Sequence, residues 1–327
     1  MARPRSQLIS YSDTPYYHII SRCVRRAFLC GQDPYTKKDY EHRRQWIVDR
    51  LRILSSVFSI EVCAYAIMSN HIHLVLKAVP DEVKHWSDRE VIRRWLSIFK
   101  GPDAAQKYIN AELLKPADKD ILEALIPVWR SRLTEISWFM KCLNEPIARQ
   151  ANKEDHCTGH FWEARFKSHA LLDEEALLTA MVYVDLNPVR AGITKTPESS
   201  NFTSVKERIK PQFNLADSIK TYCEHGGFDD HLLSENNPIP IRALTQFTGG
   251  ETQNNTTIGI HFYLKDYLEL VDYSGRAIRE DKTGHIAASL PPILERLAIT
   301  HKSWFVNCQN FEAIYYKRFA PKLFSSG

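Results

Sequence analysis

Two histidines one residue apart, His71-Ile72-His73, lie in the stretch Cys63–Ala78, which reads as two apolar, strand-like runs broken by Ser69-Asn70. Side chains i and i+2 of a strand share a face. His71 and His73 therefore project together, and Ile72 faces the opposite side, into a core. Two imidazoles on one strand begin a divalent-metal site. An isolated pair also fits a bare sheet surface. A second group of chemical interest is Tyr183-Val184-Asp185-Leu186-Asn187, in which Tyr183 and Asn187 are four apart and stack on one helix face. An Asn carbonyl oxygen is a hard ligand suited to Mg²⁺ or Mn²⁺ beside imidazoles. A tyrosine one turn away would then sit next to the metal, where its phenol can attack a phosphodiester. Taken alone, the same pair fits an amphipathic helix residue and a C-terminal cap.

The elements that must position these groups follow from periodicity. Tyr16–Leu29 is a β-prone run carrying Arg22, Arg25 and Arg26, which suit either a solvated edge or a phosphate backbone. Trp46, Ile47, Leu51, Leu54 and Phe58 make one stripe of a helix over Tyr40–Phe58. The two strands of Cys63–Ala78 come next. Residues 81–130 are read as an insertion of short helices punctuated by Gly101-Pro102, Pro116 and Pro127. Its Arg93-Arg94, Trp86 and Trp95 suit a DNA contact or a buried aromatic face. Ile136, Phe139, Met140, Leu143 and Ile147 mark a helix over Leu133–Asn152, and Thr158–Ala170 is strand-like and basic. Asp173 is placed to cap a helix with Glu174 and Glu175 in its first turn, which runs to about Asn187 because Pro188 disfavours a helical predecessor.

This order predicts an α+β, ferredoxin-like (RRM-like) four-stranded antiparallel sheet with helices on one face and an added terminal helix. Residues 196–327 are expected to form a second, mostly helical region, with helices at Phe262–Leu270, Pro292–Leu297 and Trp304–Phe319.

The 327 residues suit two domains, or one domain with a large appendage, and 44% hydrophobic content allows a sizeable core. The seven cysteines are scattered without a Cys-x-x-Cys pair, which argues against a disulfide framework or thiolate zinc site. No membrane-spanning run or secretory signal is evident, so a cytoplasmic protein is expected. A net charge of +4 permits a nucleic-acid partner without demanding one.

Three ordered blocks carry a resemblance. Ser69-Asn70-His71-Ile72-His73-Leu74-Val75-Leu76 resembles the histidine–hydrophobic–histidine (HUH) strand of single-tyrosine transposases. Gly159-His160-Phe161-Trp162-Glu163-Ala164-Arg165-Phe166-Lys167-Ser168 and Tyr183-Val184-Asp185-Leu186-Asn187-Pro188-Val189-Arg190-Ala191-Gly192 resemble two further signatures of the REP-associated tyrosine transposases. Tyr17-His18-Ile19 followed by Arg22 also fits that family's first strand. The resemblance spans roughly residues 8–195. It implies an HUH nuclease fold, Tyr183 as nucleophile, and His71, His73 and Asn187 as ligands of Mg²⁺ or Mn²⁺. The implied substrate is single-stranded DNA bearing a REP-like hairpin. Members of the family act as monomers or as dimers that exchange helices, so either a monomer or a homodimer fits. The insertion at 81–130 and the region 196–327 depart from compact members.

The expected activity is a metal-dependent single-strand DNA nuclease and strand transferase with a 5′-phosphotyrosine intermediate. The absence of a P-loop Gly-x-x-x-x-Gly-Lys-Ser/Thr fits a reaction that conserves bond energy. Candidate phosphate contacts are Arg22, Arg25, Arg26, Arg165, Lys167 and Arg190. The alternative is a domesticated hairpin DNA- or RNA-binding protein without cleavage. A (β/α)₈ metal hydrolase lacks the alternating pattern that it would need.

Overall fold

The computed structural model describes residues 9–24, 29–33, 37–210, 242–249 and 259–297. Four strands form one sheet: β1 (Tyr16–Arg22), β2 (Ile60–Ile67), β3 (His71–Ala78) and β4 (Lys167–Ala170). Their order is β2-β3-β1-β4, and every neighbouring pair is antiparallel. Ser69 and Asn70 close the β2–β3 hairpin, where the Met68 amide donates to the His71 carbonyl at 2.9 Å.

Two expected strands are shorter in the structure. β1 stops at Arg22, where the chain turns to a different partner: the Val24 amide donates to the Phe161 carbonyl and the Glu163 amide to that of Arg22. β4 keeps only its last four residues, because the segment before it meets β1 through a single bridge, Cys23 to Trp162.

One face of the sheet is built as its periodicity demands. Tyr17, Ile19, Ile72, Leu74 and Leu76 bury themselves against α1 (His42–Val57) and α5 (Ile136–Glu154). Phe58 and Phe139 meet edge to face at 5.5 Å between these helices. The insertion supplies α2 (Asp88–Leu96), α3 (Asp103–Ile109) and α4 (Pro116–Arg132), and α4 runs on through Pro127 rather than ending there. Its aromatic residues are core: Trp95 stacks on Trp129 with 5.4 Å between ring centroids. Arg94 pairs with Glu90 and donates to the Ser56 and Val57 carbonyls, satisfying the C-terminal end of α1.

The expectation of helices on one face is corrected here. α6 (Glu174–Asp185), followed by the single turn α7 (Asn187–Arg190), covers the opposite face. Leu177, Met181 and Val184 pack there on Cys63, Ala64, Ala66 and Val75. A register shift between Val62 and Ala64 reverses which residues of β2 face each layer. Before it, Ile60 and Val62 face α1; after it, Tyr65 and Ile67 do, and Ala64 and Ala66 turn toward α6. As expected, Asp173 caps α6, its carboxylate accepting from the Ala176 amide at 2.7 Å.

The later part of the chain joins this second layer through α8 (Ser204–Ile209), α9 (Leu264–Arg276) and α10 (Ile293–Arg296). The helix expected at Trp304–Phe319 lies outside the described residues. Thr203 bridges to Ala66 and the Thr245 amide donates to the Val62 carbonyl, both along β2. Tyr267, Val271 and Ile286 share one core with α6. At its centre Asp185, fully buried, accepts from the Ser204 hydroxyl (2.5 Å), the Val205 amide (2.9 Å) and the Tyr267 hydroxyl (2.5 Å). Burial nevertheless raises its pKa, the hydrogen bonds and Arg208 offsetting only part of the desolvation.

Replacing Asp185 by Ala strands three buried donors, so we expect a loss of about 3 kcal/mol in urea unfolding. Asp185→Asn, which keeps an acceptor oxygen, is expected to lose less than half of that. A loss below about 0.5 kcal/mol in Asp185→Ala would show that the carboxylate does not hold the two parts together.

Candidate active site

Alternation along β3 places Ile72 in the α1 layer and points His71 and His73 toward α6, as the sequence requires. α6 can approach closely because Ala64 and Ala66 present small side chains beneath it. That approach brings Tyr183 to the histidines: its ring centroid lies 5.6 Å from that of His73, edge to face. Tyr183 is nonetheless 41% exposed, although its neighbours Val182 and Val184 are buried. Its phenol is thus reachable by a large substrate.

Two further histidines, absent from the candidate set, complete the cluster. His18 on β1 stacks on His73 at 5.2 Å, with its Nε2 3.0 Å from His73 Nδ1. It also meets Tyr183 at 6.0 Å and His169 of β4 at 6.1 Å. The signal for His18 was the alternation of β1, in which Tyr17 and Ile19 are core and His18 must face the other way. Pairing β1 beside β3 was needed to see that this face is the one carrying His73.

These contacts assign the ring nitrogens. His71 Nδ1 is 2.6 Å from Asn70 Oδ1, which can only accept, so Nδ1 carries the proton and Nε2 keeps its lone pair. When His73 Nδ1 donates to His18, its Nε2 is likewise a free donor of electrons. Burial is the main force lowering all three pKa values, to about 4 for His18 and His71 and about 3 for His73. Arg22 and Lys282 add to the effect at His71. His71, His18 and Lys282 add to it at His73. Asn187, buried at the start of α7, donates through Nδ2 to the Tyr183 carbonyl at 2.9 Å. That leaves its Oδ1 uncommitted among the described residues. Neutral imidazoles and an amide oxygen are the forms in which such groups ligate a divalent ion, so the donor set fits one. Among the described residues no three His, Cys, Asp or Glu side chains group as ligands, so an amide oxygen would have to serve as the third.

The candidate phosphate contacts divide. Arg22 lies opposite His71 in the β1–β3 register, is well exposed, and stands 3.9 Å from Glu163. Arg165 and Lys167 are exposed, the latter at the start of β4. Arg25 and Arg26 fall outside the described residues. Arg190 is differently employed from the expected phosphate contact: its guanidinium donates to the Ser274 (2.6 Å) and Ala277 (2.5 Å) carbonyls, fastening α7 to the end of α9. Its sequence neighbours gave no hint of this, because the acceptors lie more than eighty residues away.

No protein-family model matches the chain, and no curated protein matches it. A solved structure of a REP-associated tyrosine transposase bound to a REP hairpin is similar at a TM-score of 0.36 and 12% identity, covering 66% of this chain and 90% of that one. The likeness is distant and assigns no residue a role. No described helix is long and apolar enough to cross a membrane.

The lowered histidine pKa values have a consequence for stability. The unfolded chain protonates His18, His71 and His73 near pH 6.5, whereas the folded chain keeps them neutral to about pH 4. Below pH 6.5 the unfolded state therefore binds more protons, and stability falls as the pH falls. We expect the urea midpoint of chelator-treated protein to drop between pH 7 and 5, and to drop less in His18→Asn. A midpoint independent of pH across that window would contradict the buried, neutral cluster.

Proposed function

We propose that the chain is a metal-dependent single-strand DNA nuclease and strand transferase that forms a 5′-phosphotyrosine intermediate through Tyr183. The observation that carries this reading is the exposed Tyr183 ring set edge to face against the paired, neutral His73 and His18. The resemblance of three ordered blocks to the REP-associated tyrosine transposases supports it independently.

In this reading the Tyr183 oxygen attacks the scissile phosphorus from the open side of α6 and gives its proton to water. The bond from phosphorus to the 3′ oxygen breaks, and a free 3′-OH leaves. Attack by a second 3′-OH on the phosphotyrosine rejoins the strand and returns the phenol, so no ATP is consumed. His71, His73 and Asn187 would hold Mg²⁺ or Mn²⁺, whose contribution is to polarise the phosphate and offset developing charge. His18 acts as a positioning residue, fixing the His73 tautomer through its Nδ1. Asn70 does the same for His71.

The substrate proposed is single-stranded DNA with a REP-like hairpin, bound by a monomer or homodimer in a reducing cytoplasm. Arg22, Arg165 and Lys167 are the cations offered to its backbone. Residues 1–195 carry the reaction, with 81–130 inserted, and 196–327 form the mostly helical remainder.

Labelled hairpin oligonucleotides from the neighbouring genome, incubated with Mn²⁺ or Mg²⁺, are expected to yield a covalent adduct on denaturing gels. Tyr183→Phe should abolish the adduct. His73→Ala should lower it by about a hundredfold, as loss of a ligand does. Tight hairpin binding without an adduct under any metal would favour instead a domesticated binder on the same fold.

A further inference from the structure

The start of α5 carries a pair of cations that the Tyr183 chemistry does not use. Trp138, in the first turn of that helix, is half-buried, with Trp95 at 5.7 Å and Phe99 edge to face at 6.2 Å holding its ring in place. Two cations converge on this one indole. The Arg132 guanidinium, from the end of α4, lies 4.2 Å from the ring centroid, and the Lys141 ammonium, from the next turn of α5, lies 4.6 Å from it. The charges therefore stand no further apart than those two distances together, and they repel; the negative face of the ring offsets only part of this. The dipole of α4 favours Arg132 at its C-terminal end, but Lys141 lies near the positive end of α5 and gains nothing from its helix. Among the described residues neither cation has a carboxylate partner. The acids next to them along the chain are turned elsewhere: Glu145 pairs with Arg149, and Glu135 accepts from the Ser131 hydroxyl at 3.2 Å.

Two cations held together without a counter-ion suit an anion that can approach both, and a chain of hydrogen bonds joins them to the end of β1. Asn144 follows Lys141 by one turn, on the same side of α5. Its Nδ2 donates to Ser21 Oγ at 2.8 Å, and its carbonyl accepts from the Trp162 indole at 2.8 Å. Ser21 precedes Arg22, and Trp162 precedes Glu163, the carboxylate 3.9 Å from Arg22. A polynucleotide backbone that passes Arg22 can thus continue past Trp162 onto the Lys141–Trp138–Arg132 group. We propose that this group is a second phosphate-binding site, on the α5 layer of the sheet, which grips the backbone of the same DNA whose single-stranded part enters the Tyr183 site. The inference rests on the proposed reading of the chain as one that acts on hairpin DNA.

The test uses the full chain in a Tyr183→Phe background, so that binding is measured without cleavage. The probes are a fluorescent hairpin oligonucleotide with a single-stranded flank and the same flank without its stem, each titrated by anisotropy across a KCl series. Lys141 is exposed, so Lys141→Gln carries the test without disturbing the core. It is expected to weaken hairpin binding about fivefold and to reduce the salt slope by about one phosphate contact, with Lys141→Arg staying near the parent. Adding Arg132→Gln should remove about one contact more. A loss confined to the hairpin places the stem on the group, and an equal loss with the stemless strand places the flank there. Lys119→Gln, which removes another exposed cation from α4, should leave affinity and slope unchanged. Lys141→Gln with the parent's affinity and slope, or a loss matched by Lys119→Gln, would overturn the proposal while leaving the nuclease reading intact. Lys141-dependent binding by a chain that, with Tyr183 restored, never forms an adduct would sink the nuclease reading and leave the second site standing. A parent chain that binds neither oligonucleotide overturns both.

Discussion

The Asp185 carboxylate is taken wholly out of water and given three donors, all of them from the chain beyond residue 200. A charge so buried is tolerated only while every donor stays in place, which makes the arrangement all-or-nothing. Its consequences run outward along α6. Tyr183 lies two residues before it and Asn187 two residues after, so fixing Asp185 fixes the reach and rotation of both. The apolar contacts of Met181 and Val184 with Ala64, Ala66 and Val75 set how close α6 lies to the sheet. The carboxylate sets its register along the sheet.

The histidine cluster depends on that register. β1 and β3 deliver His18, His71 and His73 to one face by strand alternation alone, but a bare sheet face would leave them solvated and protonatable near pH 6.5. Burial beneath α6 desolvates them and keeps them neutral. The same cover leaves Tyr183 exposed at its edge. Neutral donors beside an accessible phenol are the combination on which the proposed reaction rests, and it arises from one helix lying on one sheet face.

Much of this was legible in the residues. The projection of His71 with His73 and of Ile72 the other way follows from a period of two, and the Asp173 cap and the α5 stripe follow from local rules. What escaped depends on groups distant in sequence. The shift at Val62/Ala64 reverses the phase of β2 midway, so no single periodicity assigns its residues to the two layers. Arg190 reads as a free cation until Ser274 and Ala277 supply its acceptors. His18 gains meaning only when β1 is paired to β3. For Trp95, by contrast, the buried aromatic face offered by the sequence is what the structure shows, against Trp129, while Arg94 serves the end of α1.

The central claim is that Tyr183 is the residue that becomes covalently joined to DNA, and it is open to direct chemical mapping. Purified chain would be incubated with the hairpin oligonucleotide and Mn²⁺, digested with nuclease and trypsin, and its peptides sequenced by mass spectrometry. The expected result is a nucleotide attached through phosphate to Tyr183 and to no other of the 14 tyrosines. A nucleotide on a different residue, or strand cleavage with no modified peptide, would contradict it.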